Sequence, residues 1–138
     1  GVKLAIENHD RFPAATLRNI VERTGAFICL DTANSLGCLE GLDSVLEALG
    51  PWVVNVHIKD VAAVRLPHQK GFVIEGRPAG QGALKIPHLL SRLREFGNDP
   101  SVILEQWPPP EPDIEASVAK ERQWATEGIR YLRTLIPD

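Results

Sequence analysis

Short aliphatic runs alternate along the chain with longer segments whose apolar residues recur every third or fourth position. Four runs read as buried strands: Lys3–Asn8 (KLAIEN), Ala26–Asp31 (AFICLD), Val53–Lys59 (VVNVHIK) and Val102–Gln106 (VILEQ). Each is brief and dominated by β-branched or aliphatic residues, as strands covered by helices are. Between them the spacing predicts helices. Leu17, Ile20 and Val21 repeat at i, i+3, i+4 within Pro13–Thr24, and Leu42, Val45, Leu46 and Leu49 do so within Leu42–Leu49. Pro87–Phe96 carries Leu89, Leu90 and Leu93. Ile114–Leu135, with Ile114, Val118, Ala125, Ile129 and Leu132, is long enough to cover the final strand, with Trp124 and Tyr131 as core or lip residues. Pro13 suits a first helical turn, and Gly25, Gly50-Pro51 and Gly97 suit stops.

Strand and helix in alternation, with no hairpin signal, predict βαβ units and a parallel sheet. Two loops run long, Val61–Lys85 and the proline-rich Trp107–Asp113, and both follow a strand's C-terminal end, where α/β proteins place their chemistry. Glu7, Asp31, His57 and Glu105 stand at or near the ends of the four strands. Side chains alternate faces along a strand. Glu7 therefore shares a face with Lys3 and Ala5, Asp31 with Cys29 and Phe27, His57 with Asn55 and Val53, and Glu105 with Ile103. The opposite parity holds Ile28, Leu30, Val54, Val56, Ile58, Val102 and Leu104, which are expected to meet the helices. The four polar residues are thus expected to converge on one cavity.

Three carboxylates converging without compensation repel, so a divalent cation is their natural partner. Three carboxylates and one imidazole favour Mn²⁺, Mg²⁺ or Co²⁺, are compatible with Zn²⁺, and disfavour copper or iron–sulfur sites, so the donors leave the metal open; taken with the resemblance drawn below, Mn²⁺ is the first expectation. Asn55 and Lys3 are candidates to support the ligands. His9 reads as a loop residue, and His68 and His88 as surface. Lys59 and Asp60 read as a local salt bridge or loop hydrogen bond. The cluster Gly76–Gly82 lacks the lysine ending of a phosphate loop, but Arg77 within it is a guanidinium on a mobile glycine-rich lid that can fork onto substrate oxygens. Asn34 and Trp107 are placed to line the same mouth. Cys29 reads as inert core below the ligands.

Composition narrows the classes. With 43% hydrophobic and 24% charged residues the chain should fold, and its 138 residues suit one core. The net charge of -3, without a basic run, excludes nucleic acid as the expected ligand. No apolar stretch approaches the roughly 20 residues that cross a bilayer, and two cysteines make no disulfide framework, so a cytoplasmic setting without membrane contact is expected.

The segments LAIENH, CLDTANS, VHIKD, GRPAGQGALKIPHLL and VILEQW, in this order, resemble the C-terminal half of the xylose isomerase-like TIM barrels, the sugar phosphate isomerase and epimerase group that includes ketose 3-epimerases, hydroxypyruvate isomerase and inosose dehydratase. The resemblance implies an α/β fold, the (β/α)₈ barrel, of which residues 1–138 supply about four βα units. It implies one divalent metal on Glu7, Asp31, His57 and Glu105. The expected activity is isomerisation or epimerisation of a small sugar or keto-hydroxy compound through an enediolate, with Glu7 and Glu105 moving the proton on opposite faces. Arg77, Asn34 and Trp107 are the expected substrate contacts, Asn34 standing where some members carry His. Alternatives are a dehydratase or an endonuclease-like hydrolase of the same fold, or a non-catalytic sugar-binding domain. A barrel needs eight strands. The chain, which also lacks Met, is therefore expected to be a segment of a longer polypeptide, completed by an N-terminal half or by a second copy.

Overall fold

The computed structural model describes residues 1–136. Six strands and four α-helices follow one another among them: β1 (Ala5–Glu7), α1 (Ala14–Thr24), β2 (Phe27–Asp31), α2 (Leu42–Leu49), β3 (Val53–Ile58), β4 (Val61–Arg65), β5 (Phe72–Gly76), α3 (Ile86–Glu95), β6 (Ser101–Leu104) and α4 (Ile114–Leu135). Short 3₁₀ turns occupy Asn34–Cys38 and Gly50–Trp52. No helix of the described residues is long and apolar enough to cross a membrane. Two compact units share the chain, one built from 1–57 and 86–103, the other from 58–85 and from Leu104 onward.

The first unit is the expected sheet with helices. Its four strands run in the order β1-β2-β3-β6, and β1 with β2 and β2 with β3 pair in parallel. The core is the side of the sheet that carries Ile28, Leu30, Val53 and Val56, together with Leu17 and Val21 of α1, Val45, Leu46 and Leu49 of α2, and Ile86, Leu89 and Leu93 of α3, all at most 3% exposed. Burying these side chains is the main favourable term for the unit. The other parity of β2, Phe27 and Cys29, is only half-buried.

One parity differs from expectation. Ile28 pairs with Val53 but Cys29 pairs with Asn55, so Val54 is the extra residue of a bulge. Val53, expected beside His57, therefore faces the helices and is buried, while Asn55 and His57 keep the predicted face.

The second unit holds what the pattern missed. Within the expected loop Val61–Lys85, β4 and β5 form an antiparallel hairpin, with Val61 opposite Gly76 and Arg65 opposite Phe72. Helix α4 has the predicted bounds and is capped by Asp113, whose side chain accepts from the Ala116 N–H at 2.7 Å. Of its predicted apolar residues Leu132 is buried, beside Gly128, whereas Ile114, Val118 and Ile129 are exposed. A Cβ on Gly128 would lie 3.0 Å from Leu104, which shows how closely the helix backbone approaches the residue that ends β6.

Candidate metal centre

Parallel pairing sets the geometry of the first unit's polar cluster. Glu7 is level with Cys29, and Asp31 is level with His57. Glu7 and His57 thus flank β2 on a diagonal, with His57 Nδ1 3.4 Å from Glu7 Oε1. One ligand atom from each of Glu7, Asp31 and His57 lies within 4.8 Å of the others. Three ligands held at about 2.0–2.3 Å around one ion stand roughly 3–4 Å apart, so this trio needs only modest adjustments to share a cation. Two carboxylates and an imidazole are a donor set for Mn²⁺, Mg²⁺, Co²⁺ or Zn²⁺.

Local structure fixes these side chains. After β2 the chain turns sharply, and Asp31 Oδ1 accepts from the backbone N–H of Ala33 at 2.9 Å and of Asn34 at 2.7 Å. Asn34, buried in the following 3₁₀ turn, donates its amide to Glu7 Oε1 at 3.3 Å and to the Asn8 carbonyl at 3.2 Å. Asn8 is fully buried. Its Nδ2 donates to the Asp31 carbonyl and to Ser35 Oγ, each at 2.9 Å, and its Oδ1 accepts from the Asp31 N–H at 2.7 Å. Asn8 thereby ties the end of β1 to the end of β2. It was not among the sequence candidates, because a polar residue closing a strand reads as loop.

Cys29, expected in the core below the ligands, is less enclosed than that. It is half-buried, its Sγ lies 3.8 Å from Asn55 Oδ1, and its sulfur is within 4.8 Å of ligand atoms of both Glu7 and His57. His9 is exposed and pairs with Asp10 at 2.5 Å; this bond holds the Asp10 carboxyl below its ordinary value. His88 pairs with Asp43 on the surface.

Within the second unit, Glu105 follows β6 and donates its N–H to the carbonyl of Ile58, the residue after His57, at 3.0 Å. Its carboxylate meets Lys59 Nζ at 2.7 Å. Lys59 is only 2% exposed and its ammonium lies 4.2 Å from the centre of the Trp107 ring. Lys59 thus pairs with Glu105, and the loop hydrogen bonds expected of this pair of residues are made by Asp60.

Asp60 has a separate task. Buried at 2% exposure, it accepts four backbone N–H groups: Val61 and Leu84 on Oδ1 at 2.9 and 3.0 Å, Gly80 and Gly82 on Oδ2 at 2.8 and 3.0 Å. The glycines permit this close approach. A Cβ on Gly82 would fall 2.1 Å from Asp60 Oδ1, and one on Gly80 would fall 2.7 Å from the Tyr131 ring. The expected mobile lid is thus a loop anchored on a buried carboxylate. At its start Arg77 lies 3.3 Å from Glu75 Oε2 and donates to the Gly76 carbonyl at 2.7 Å.

Residues 1–135 match the profile of a family described as Xylose isomerase-like TIM barrel. Among curated proteins, a 3-oxo-isoapionate decarboxylase from Pectobacterium atrosepticum is 29% identical over 139 residues, covering 99% of this chain and 50% of its own. Among solved structures, a xylose isomerase domain protein from Planctomyces limnophilus superposes with a TM-score of 0.72 at 19% identity, over 98% of this chain and 47% of that one. A 3-keto-D-glucoside 4-epimerase from E. coli gives 0.55 at 18% identity, over 91% and 46%. The chain spans about half the length of the relatives it matches.

Proposed function

The chain belongs to the xylose isomerase-like TIM barrel family, and from that premise we propose that it carries the metal-binding, proton-moving part of an isomerase or epimerase acting beside a carbonyl in a small sugar or keto-hydroxy compound. The observation that carries this reading is the gathering of Glu7, Asp31 and His57 at the ends of three successive parallel strands. Glu105, set by its bond to Ile58 and by Lys59, completes the ligand set in this proposal. Glu7, Asp31, His57 and Glu105 would hold a divalent cation, Mn²⁺ first among the candidates, which would supply Lewis acidity towards the substrate's oxygens.

The chain's own groups do the rest. Glu7, oriented by the Asn34 amide, takes the proton from the carbon beside the carbonyl, and Glu105 returns one to the opposite face, inverting that carbon. Arg77 and Trp107 contact substrate, and the glycine loop on Asp60 sets where Arg77 starts. A cytoplasmic setting is part of the proposal, and the free thiols of Cys29 and Cys38 are compatible with it.

A second reading is favoured by one observation, the likeness over 99% of the chain to a decarboxylase of a 3-oxo acid. Loss of CO₂ from such an acid leaves the same kind of carbanion beside a ketone, which then needs one proton rather than two transfers. The test is solvent deuterium entry into a panel of ketoses and 3-oxo sugar acids, followed by NMR with Mn²⁺ supplied. Metal-dependent exchange without CO₂ release, lost in Glu7→Gln and Glu105→Gln variants that still bind Mn²⁺, supports the epimerase. CO₂ release coupled to one deuterium per turnover supports the decarboxylase. Neither, with Mn²⁺ bound, defeats both.

A further inference from the structure

The first unit brings together two overlapping groups of potential ligand atoms, not one. Glu7 and His57 are common to both. Asp31 closes one set with a carboxylate, and Cys29 closes the other with sulfur, its ligand atom within 4.8 Å of those of Glu7 and His57. The register explains the overlap. Glu7 is level with Cys29 and His57 with Asp31, so the Glu7–His57 diagonal crosses β2 between these two residues of the same face. Cys29 and Asp31 are two residues apart, about 6.6 Å along the strand, so one ion cannot be level with both.

We infer that the site sorts cations by softness along β2: hard ions engage Glu7, His57 and Asp31, whereas thiophilic ions, Zn²⁺ and above all Cd²⁺, settle on Glu7, His57 and Cys29. Thiolate ligands select soft metals while carboxylates suit Mg²⁺ and Mn²⁺, and a mixed sulfur, nitrogen and oxygen set is one that zinc-like ions accept in tetrahedral geometry. On coordination the Cys29 sulfur forms the metal bond and its proton passes to solvent. The second ligand set makes the protein a two-position metal site in which a soft ion sits deeper than a hard one. The inference rests on the reading that Glu7 and His57 hold a cation at all, and the experiment separates the two.

The second thiol, Cys38, lies near the His9 carbonyl and could bind Cd²⁺ by itself, so all measurements use the full chain in a Cys38→Ser background. CdCl₂ is titrated while the ultraviolet thiolate-to-metal charge-transfer absorption is followed, and MnCl₂ binding is read from the loss of the free-ion electron paramagnetic signal. The expected result is a Cd²⁺ absorption that vanishes in Cys29→Ser and Cys29→Ala, with Cd²⁺ affinity falling on the order of tenfold or more. Mn²⁺ affinity should change less than about threefold in the same variants, which also shows that they fold. A Cd²⁺ absorption that survives both substitutions, or none in the parent while Mn²⁺ binds, overturns the inference and leaves the hard-ion site standing. Failure of the parent to bind Mn²⁺ overturns the proposed function's metal reading and this inference with it.

Discussion

Asn8 spends its whole side-chain amide on the end of the neighbouring strand, three bonds to Asp31 and Ser35 in full burial. Asn8→Ala would strip partners from both backbone groups of Asp31 in a place water does not reach. Each buried polar group left unpaired costs about 1–3 kcal/mol, so the variant should lose roughly 2–4 kcal/mol, read as a lower urea midpoint at unchanged slope. Mn²⁺ affinity should drop about 10–100-fold, the usual effect of removing a group that orients a ligand. Asn8→Asp keeps the acceptor for the Asp31 N–H but not the donor to its carbonyl, and should fall between Asn8→Ala and the parent. At this scale the placement of the candidate ligands was legible where alternation alone decides it: Glu7, Asp31 and His57 share the face that strand parity gives them. The contacts that Asn8 and Cys29 make across to neighbouring strands were not, because they depend on which residue of the next strand stands level with each, and register is not written in a single strand's pattern.

Among the elements, Asp60 organises the segment from β5 to α3 by gathering four N–H donors on two oxygens. Asp60→Asn replaces one acceptor oxygen by a donor that faces other donors, which breaks at least two of these bonds. The expected loss is about 2–4 kcal/mol, with amide hydrogen exchange at Gly80, Gly82 and Leu84 accelerating ahead of that in α1 and α2. Unchanged protection at those three amides would show that the loop does not depend on Asp60. Helices were the most legible elements, since α2 and α4 have the bounds that their spacing predicts. The hairpin escaped notice because its strands are separated by Leu66–Gly71, with no two-residue turn signal of the Asn-Gly kind. The bulge at Val54 escaped because Val53 and Val54 are the same residue, so either parity satisfies the pattern. In α4 the apolar count favoured Ile114, Val118 and Ile129, whereas the buried side is built around Gly128, whose value is its lack of a side chain.

For the molecule as a whole, the relevant facts are its span and its apolar surface. The chain covers about half the length of its relatives, the sheet of its first unit ends in β1 on one side and β6 on the other, and α4 exposes Ile114 at 82%, Ile129 at 52% and Val118 at 40%. These three recur at helical spacing, so they form one stripe along the helix, and the outer edges of β1 and β6, which have no strand partner among the described residues, invite further pairing. We propose that another segment or a second copy covers them, the N-terminal half of a barrel being the first candidate. The 138 residues alone should then sediment as more than a monomer at micromolar concentration, or bind a hydrophobic dye as a monomer. Ile129→Glu with Val118→Glu should cut dye binding or association severalfold without lowering the unfolding free energy by more than about 0.5 kcal/mol, because exposed side chains contribute little to folding. A dye-silent monomer for the unsubstituted chain would mean that this surface needs no cover and would remove the argument for a completing partner.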